Sequence, residues 1–206
     1  MIDLKKYFDR LYCINLDKRP DRYEDAIAEF NKFNIVNVER FSGIDGSLIK
    51  NDSRLLSGEL GILETHNSII KKVKEDLLNS VLVMEDDVYF TDEINNVDEY
   101  MKAVPDDWDF IYFGGNHVYG QPPVKINDKI LKLNFTVALH CVAIKSTVFD
   151  EIIELLPRHN IQVDGCYGNL QKKYNGYAFY PNMAKQRNGF SDIQNRNVDY
   201  TTFFND

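Results

Sequence analysis

Residues Val81–Val88 read VLVMEDDV, an apolar run that passes without a spacer into three carboxylates. Val81-Leu82-Val83-Met84 has the length and β-branched content of a strand covered on both faces. Strands of that kind belong to sheets with helices above and below, and in open α/β sheets ligands gather at the carboxyl ends of the strands. Glu85, Asp86 and Asp87 stand at that end. Adjacent carboxylates repel by roughly 1 kcal/mol per close pair in water and about 4 kcal/mol at intermediate dielectric. The octapeptide alone has two readings. It is a solvated acidic turn, or it is a seat for a hard cation such as Mg²⁺ or Mn²⁺ that removes the repulsion.

Working outward, strands and helices alternate. Leu11–Ile14 reads as a short strand ending in Asn15-Leu16-Asp17. Pro20 suits a first helical turn, Tyr23, Ala26, Ile27, Phe30 and Phe33 recur at helical spacing, and Asn34 closes the helix. Ile35–Phe41 reads as a second strand, followed by the loop Ser42–Gly46 and a polar stretch over Asp52–Ser57. A helix is expected from about Gly58 to Leu78, with Ile62, His66, Ile69, Ile70, Val73 and Leu77 on one face. After the Val81–Met84 strand come a helix over Ile94–Ala103 and a strand over Asp109–Phe113, stopped by Gly114-Gly115. Asn116–Lys125 reads as a loop, Leu131–Ile144 as a strand or hairpin arm, and Val148–Leu156 and Asp164–Tyr174 as helices. Tyr177–Tyr180 is a last strand, and Pro181–Asp206 a polar tail without periodicity. The alternation predicts one three-layer α/β domain.

The chain has 206 residues, 44% hydrophobic and 13% aromatic, and carries a net charge of −8. That charge disfavours nucleic acid, whose binding rests on Lys and Arg neutralising phosphates. An anionic small ligand would need local compensation from a metal or a few placed arginines. Cys13, Cys141 and Cys166 are odd in number and lack CxxC spacing, which fits reduced thiols. Two glycosylation sequons, Asn51-Asp52-Ser53 and Asn134-Phe135-Thr136, follow a start, MIDLKKYFDR, without the apolar core of a secretory signal. No run has the length of a membrane span, so the expected location is the cytoplasm.

Several motifs fall in one order: Ile14-Asn15-Leu16-Asp17-Lys18-Arg19 with Asp21-Arg22, Gly43-Ile44-Asp45-Gly46, Ser57-Gly58-Glu59-Leu60-Gly61 with Thr65-His66, and Val83–Val88. Trp108-Asp109, Val163-Asp164-Gly165, Tyr180-Pro181 with Gln186, and Ser191-Asp192-Ile193 extend the series. In this it resembles glycosyltransferase family 25, the lipooligosaccharide and collagen hydroxylysine galactosyltransferases. Two positions depart from the family pattern: Ile62 follows Gly61 where cysteine is common, and Thr65 replaces the serine usual before the histidine.

The resemblance implies a GT-A-like single domain over residues 1–206. Its sheet would be Rossmann-like, mixed and mostly parallel, with a nucleotide-sugar half over about 1–115 and an acceptor half over about 116–206. It implies a UDP-sugar donor, a galactosyl or glucosyl group, Mn²⁺ or Mg²⁺, and a glycan or glycosylatable protein as acceptor. The alternative is a non-catalytic protein of the same fold that binds a glycan or a partner. Strand alternation puts Glu85 and Asp87 on one side and Asp86 on the other. By analogy with DxD sites Asp87 would ligate the metal, joined by Glu85, while Glu85 or Asp86 would hold the ribose or a metal-bound water. Asn15, Leu16, Arg19 and Arg22 would lie near base and ribose. Asp45 either accepts hydrogen bonds from uracil or ribose or caps its own loop. His66 is either a core residue or a support for the metal loop or pyrophosphate, and His140 is structural. Asp164 is the candidate catalytic base, or a helix N-cap. Asp192 is the second candidate base, or a metal- or phosphate-side group. Gln186 and Ser191 would close the site.

Overall fold

The computed structural model describes every residue except 51, 118–121, 195 and 202–206. Asn51 of the first sequon, the middle of the expected loop and the end of the tail therefore lie outside the described residues. In chain order the elements are β1 (Arg10–Leu16), α1 (Pro20–Lys32), β2 (Glu39–Gly43), α2 (Ser57–Glu75), β3 (Ser80–Glu85), β4 (Val88–Phe90), α3 (Val97–Ala103) and β5 (Phe110–Tyr112). They continue with β6 (Val124–Lys125), β7 (Ile130–Lys132), β8 (Cys141–Lys145), α4 (Phe149–Leu155), α5 (Val163–Leu170), β9 (Gly176–Phe179), β10 (Ala184–Gln186), β11 (Gly189–Ser191) and β12 (Arg196–Val198).

An eight-stranded sheet in the order β2-β1-β3-β8-β5-β9-β7-β6 forms the middle layer. β1 runs parallel to β2 and β3, and β5 runs parallel to β9. β8 lies antiparallel between β3 and β5, and β7 lies antiparallel to β9 and β6. So β2, β1, β3, β5 and β9 all point one way, and their carboxyl ends share one edge.

The strand that anchors the reading is covered on both faces as its composition requires. Val81 and Val83 pack with Leu63, Ile70 and Val73 of α2, with α4 and α5 completing that layer. Leu82 and Met84 pack with Ala26 and Phe30 of α1, with Val97 and Tyr100 of α3. All of Val81–Met84 are fully buried. Burial of a side chain of this size contributes about 1.5–3 kcal/mol.

Four expectations need correction. The second strand is shifted to Glu39–Gly43, and Ile35 makes only an isolated bridge to Ile2. Leu77 is not on the apolar face of α2: the helix has ended, φ at Leu77 is 56° and the side chain is 88% exposed. Leu131–Ile144 is not one element: β7 is a hairpin arm against β6 and also pairs with β9, while β8 is a separate strand inserted between β3 and β5. The tail is not without structure: β10 pairs antiparallel with β4, and β11 pairs with β12.

The loop after β2 rests on the first turns of α2 through glycines. A Cβ at Gly46 would stand 1.8 Å from the Ser57 carbonyl oxygen, and one at Gly61 would stand 2.5 Å from that of Ile44. Thr65 Oγ1 accepts from Ile44 N at 2.9 Å and donates to Gly61 O at 2.7 Å. The hydroxyl, common to serine and threonine, is what this position supplies. In an open helix Gly61→Ala would gain about 1 kcal/mol from propensity. Here the steric conflict is with backbone, so the substitution is expected to cost about 1–3 kcal/mol of unfolding free energy. Urea denaturation decides the sign, and an unchanged or raised midpoint would refute the clamp.

Candidate active site

A cavity of about 270 Å³ opens at the carboxyl edge of the sheet, where β1, β2 and β3 end together. Its apolar wall is Ile14, Leu16, Ile44 and Ile62; Asn15, Lys18, Arg22, Asp45, Glu85, Asp86, Asp87, Gln186, Ser191 and Asp192 supply the polar groups. The N-terminus of α1 follows β1 at this edge, a position where unpaired N–H groups and the helix dipole favour anions.

The acidic triplet does not keep the strand's alternation. β3 ends at Glu85, and Asp86 and Asp87 form the turn into β4. Both aspartates consequently reach the same guanidinium: Arg22 Nη2 is 2.5 Å from Asp86 Oδ1 and 3.0 Å from Asp87 Oδ2. Asp86 Oδ2 accepts from Asn15 Nδ2 at 2.7 Å. Burial still raises the Asp86 pKa against these partners. Among the described residues Asp87 Oδ1 is buried without a hydrogen-bond partner. Glu85 has its backbone N–H on His140 O at 2.9 Å. Burial first, then the charges of Asp87, Asp164 and Asp86, holds its carboxyl well above the usual range.

Asn15, Leu16, Arg22, Asp45, Glu85, Asp86, Asp87 and Asp192 are brought together around this one cavity. Arg19 lies beside it, paired with Asp21 at 2.9 Å and with Asp192. Asp45 caps its own loop, accepting from Ser47 N at 3.0 Å and Ser47 Oγ at 2.7 Å, and also pairs with Lys18 at 2.6 Å. The Lys18 bond and then the Ser47 bonds lower its pKa to about 2. Asp164 does not line the cavity. It is not the N-cap of α5, which is Gln162; its Oδ2 accepts from Ala138 N at 2.9 Å, and burial raises its pKa. His66 is fully buried away from the lining, with Nδ1 3.2 Å from Tyr167 Oη, and burial lowers its pKa to about 4. His140 is buried and donates from Nε2 to Ala184 O at 3.0 Å.

Three contributors were not singled out from the sequence. Arg40 grips Asn15 Oδ1 through Nε at 3.0 Å and Nη2 at 2.9 Å, turning the Asn15 amide toward Asp86. Arg187 donates from Nη2 to the carbonyls of Asp86 and Val88 at 3.3 and 3.2 Å, pinning the acidic turn. Tyr200 lines the cavity, and its hydroxyl is pushed up to about 12 by burial and then by Asp87 and Glu85. A buried Asn15 requires a donor for its own oxygen, which is the one sequence-level pointer to Arg40; nothing local points to Arg187 or Tyr200.

Comparison with known proteins shows which family the chain resembles. The profile of the family described as Glycosyltransferase family 25 (LPS biosynthesis protein) matches residues 8–187. Procollagen lysyl hydroxylase and glycosyltransferase of Acanthamoeba polyphaga mimivirus is 26% identical over an alignment of 230 residues, covering 90% of this chain and 26% of its own length. Procollagen galactosyltransferase 2 of Mus musculus is 27% identical over 154 residues, covering 63% of this chain and 24% of its own length. Inactive glycosyltransferase 25 family member 3 of Homo sapiens is 31% identical over 133 residues, 54% of this chain and 22% of its own length. The chain thus spans about a quarter of the length of the curated relatives it matches. A solved glycosyltransferase involved in the glycosylation of the major capsid of PBCV-1 superimposes with a TM-score of 0.45 at 8% identity, over 73% of this chain and 66% of that one. Among the described residues no helix is long and apolar enough to cross a membrane.

The raised Glu85 carboxyl has a pH signature. Between the usual glutamate pKa and the raised one, the folded state holds a proton that the unfolded state has lost, so stability falls as pH rises through that window. Glu85→Gln removes the effect. The metal-free variant is expected to unfold at higher urea than wild type at neutral pH, with the difference closing as the pH drops to about 4. Denaturation midpoints that stay parallel across pH would contradict the buried charge.

Proposed function

The chain belongs to glycosyltransferase family 25, and we propose that it moves a hexose, galactose or glucose, from a UDP-sugar to a hydroxyl of a glycan or hydroxylysine-type acceptor, with inversion. The observation that carries this reading is convergence. Motifs from residues 14–22, 43–47, 57–65, 85–87 and 186–193 all line one cavity at the carboxyl edge of a GT-A-like sheet. In this reading the first part of the single domain, about residues 1–115, holds the donor. The remainder presents the acceptor, with Gln186 and Ser191–Ile193 returning over the donor cavity.

The roles follow from the surfaces present. Ile14, Leu16, Ile44 and Ile62 offer an apolar bed for the base, with Asn15 and Asp45 at its polar rim. Arg22 and the α1 N-terminus face the position of the diphosphate. Inversion is a single displacement: as the acceptor oxygen bonds to the anomeric carbon, its proton passes to a carboxylate and the bond to the leaving nucleoside diphosphate breaks. Of the two candidate bases, Asp192 lines the cavity beside Arg19 and is assigned the proton transfer. Asp164 stands outside the lining with its Oδ2 on Ala138 N and serves to hold that loop.

The family implies a divalent cation, and the residues fit one. Asp87 Oδ1 is a buried oxygen with no hydrogen-bond partner among the described residues. Among the described residues no three His, Cys, Asp or Glu side chains form a metal cage. Mg²⁺-type centres need only one or two carboxylates beside phosphate oxygens and water. Asp87 and Glu85 are the residues assigned to hold it. When bound it would neutralise charge growing on the leaving diphosphate.

The test is nucleoside diphosphate release from a panel of nucleotide-sugars in Mn²⁺, with and without acceptors. We expect donor-selective release, reduced about 100-fold or more in Asp87→Ala. Equal turnover in the two proteins would defeat the assignment. Nucleotide-dependent thermal stabilisation with no turnover would favour the binding-protein alternative, a reading kept open by the relative named inactive.

A further inference from the structure

Arg22 occupies an unusual place for a cation. It lies in the first turn of α1, at the positive end of the helix dipole, so its charge is held there by its partners. One nitrogen, Nη2, serves both Asp86 at 2.5 Å and Asp87 at 3.0 Å. The other, Nη1, donates to Phe190 O at 3.2 Å and lies 3.7 Å from Asp192. The side chains of Arg22, Asp86 and Asp87 are only 17%, 11% and 17% exposed, so water does little to screen them. The ion pair separates the cavity of about 270 Å³ from a smaller one of about 150 Å³ beside Asp25 and Arg187.

We propose that Arg22 is the resident counter-ion of Asp86 and Asp87 in the free chain, and that it transfers to the donor's diphosphate when a divalent cation takes the carboxylates. The inference rests on the nucleotide-sugar reading above and adds to it the order and coupling of binding. A cation arriving alone must share Asp87 with a guanidinium or displace it. Displacement leaves a largely buried arginine with only Asp192 nearby, at 3.7 Å and already paired with Arg19, a costly state. A diphosphate arriving alone meets two carboxylates and an arginine already engaged. Arriving together, the cation satisfies the aspartates and the phosphate oxygens satisfy the guanidinium, which binds such oxygens bidentately. Arg187 does not line the larger cavity; its Nη2 donates to the main-chain carbonyls of Asp86 and Val88 and its Nη1 lies 3.4 Å from Asp25.

The experiment measures Mn²⁺ binding by the electron-spin signal of free Mn²⁺, and UDP binding by calorimetry, each with and without the other. In the wild-type chain, UDP is expected to tighten Mn²⁺ about 10–100-fold, and Mn²⁺ to tighten UDP by the same factor. Arg22→Gln should bind Mn²⁺ alone about tenfold more tightly than wild type, with the mutual enhancement reduced to about threefold or less. Arg22→Lys, which keeps the charge should the glutamine variant fail to fold, should lower the enhancement at least about threefold. Mn²⁺ and UDP affinities that are independent in wild type overturn the exchange, as does an enhancement unchanged in either variant. A wild-type chain that binds neither Mn²⁺ nor UDP in any combination overturns the donor reading itself and this inference with it.

Discussion

Asp86 and Asp87 hang from a strand buried from Ser80 to Met84, and their negative charge must be met by groups that already sit at the sheet edge. Much of the local architecture meets that demand. Asn15, next to last in β1 one strand away, is 1% exposed and donates to Asp86. An aspartate there would add to the repulsion; an amide supplies a donor and asks for one in return, which Arg40 provides from β2. Arg22 arrives from the helix that β1 feeds, and Arg187 from β4's partner strand region fastens the turn by its carbonyls. Residues from α1, three neighbouring strand ends and the tail are thereby tied to a two-residue turn.

The second constraint is steric. The Gly43-Ile44-Asp45-Gly46 loop and the Ser57–Gly61 turn of α2 approach so closely that a Cβ at either Gly46 or Gly61 would overlap backbone of the other. A Cβ at Gly58 would stand 2.4 Å from Ile193 Cα, so the tail packs there by the same means. Backbone contacts of this kind leave few side chains to adjust, and together with the Thr65 hydroxyl bridge they hold the cavity wall in place. The two glycine-bearing motifs are thus two halves of one contact.

What was legible in the sequence, and what was not, follows from the range of the interactions. β3 was legible because four consecutive buried residues leave a local mark, and α1 because its apolar positions repeat every turn. The clustering of Asn15, Asp45 and the acidic triplet was legible through motif order. The sidedness of the triplet was not, since period-two alternation stops where β3 stops, at Glu85. β10, β11 and β12 are three residues each, too short for any period to register, and they exist through pairing with β4 or with one another. Arg187 and Tyr200 reach the site across about a hundred residues of chain or more, a distance over which neither spacing nor composition carries information.

The charge balance of the cavity lets an acidic protein gather cations at one edge without collecting anions at large. The chain carries −8 overall, yet the edge around the cavity presents Lys18, Arg19 and Arg22. Each is already matched: Lys18 by Asp45, Arg19 by Asp21 and Asp192, Arg22 by Asp86 and Asp87. A bare phosphate gains little here, since each bond it takes from a cation strands an aspartate at partial burial. A bare metal ion faces the converse difficulty. The exchange proposed for Arg22 therefore calls for a ligand that brings anion and cation in the same event, so that every broken pair is re-formed with a new partner. Selectivity of that kind resides in pairing already complete in the free chain, not in surplus positive charge.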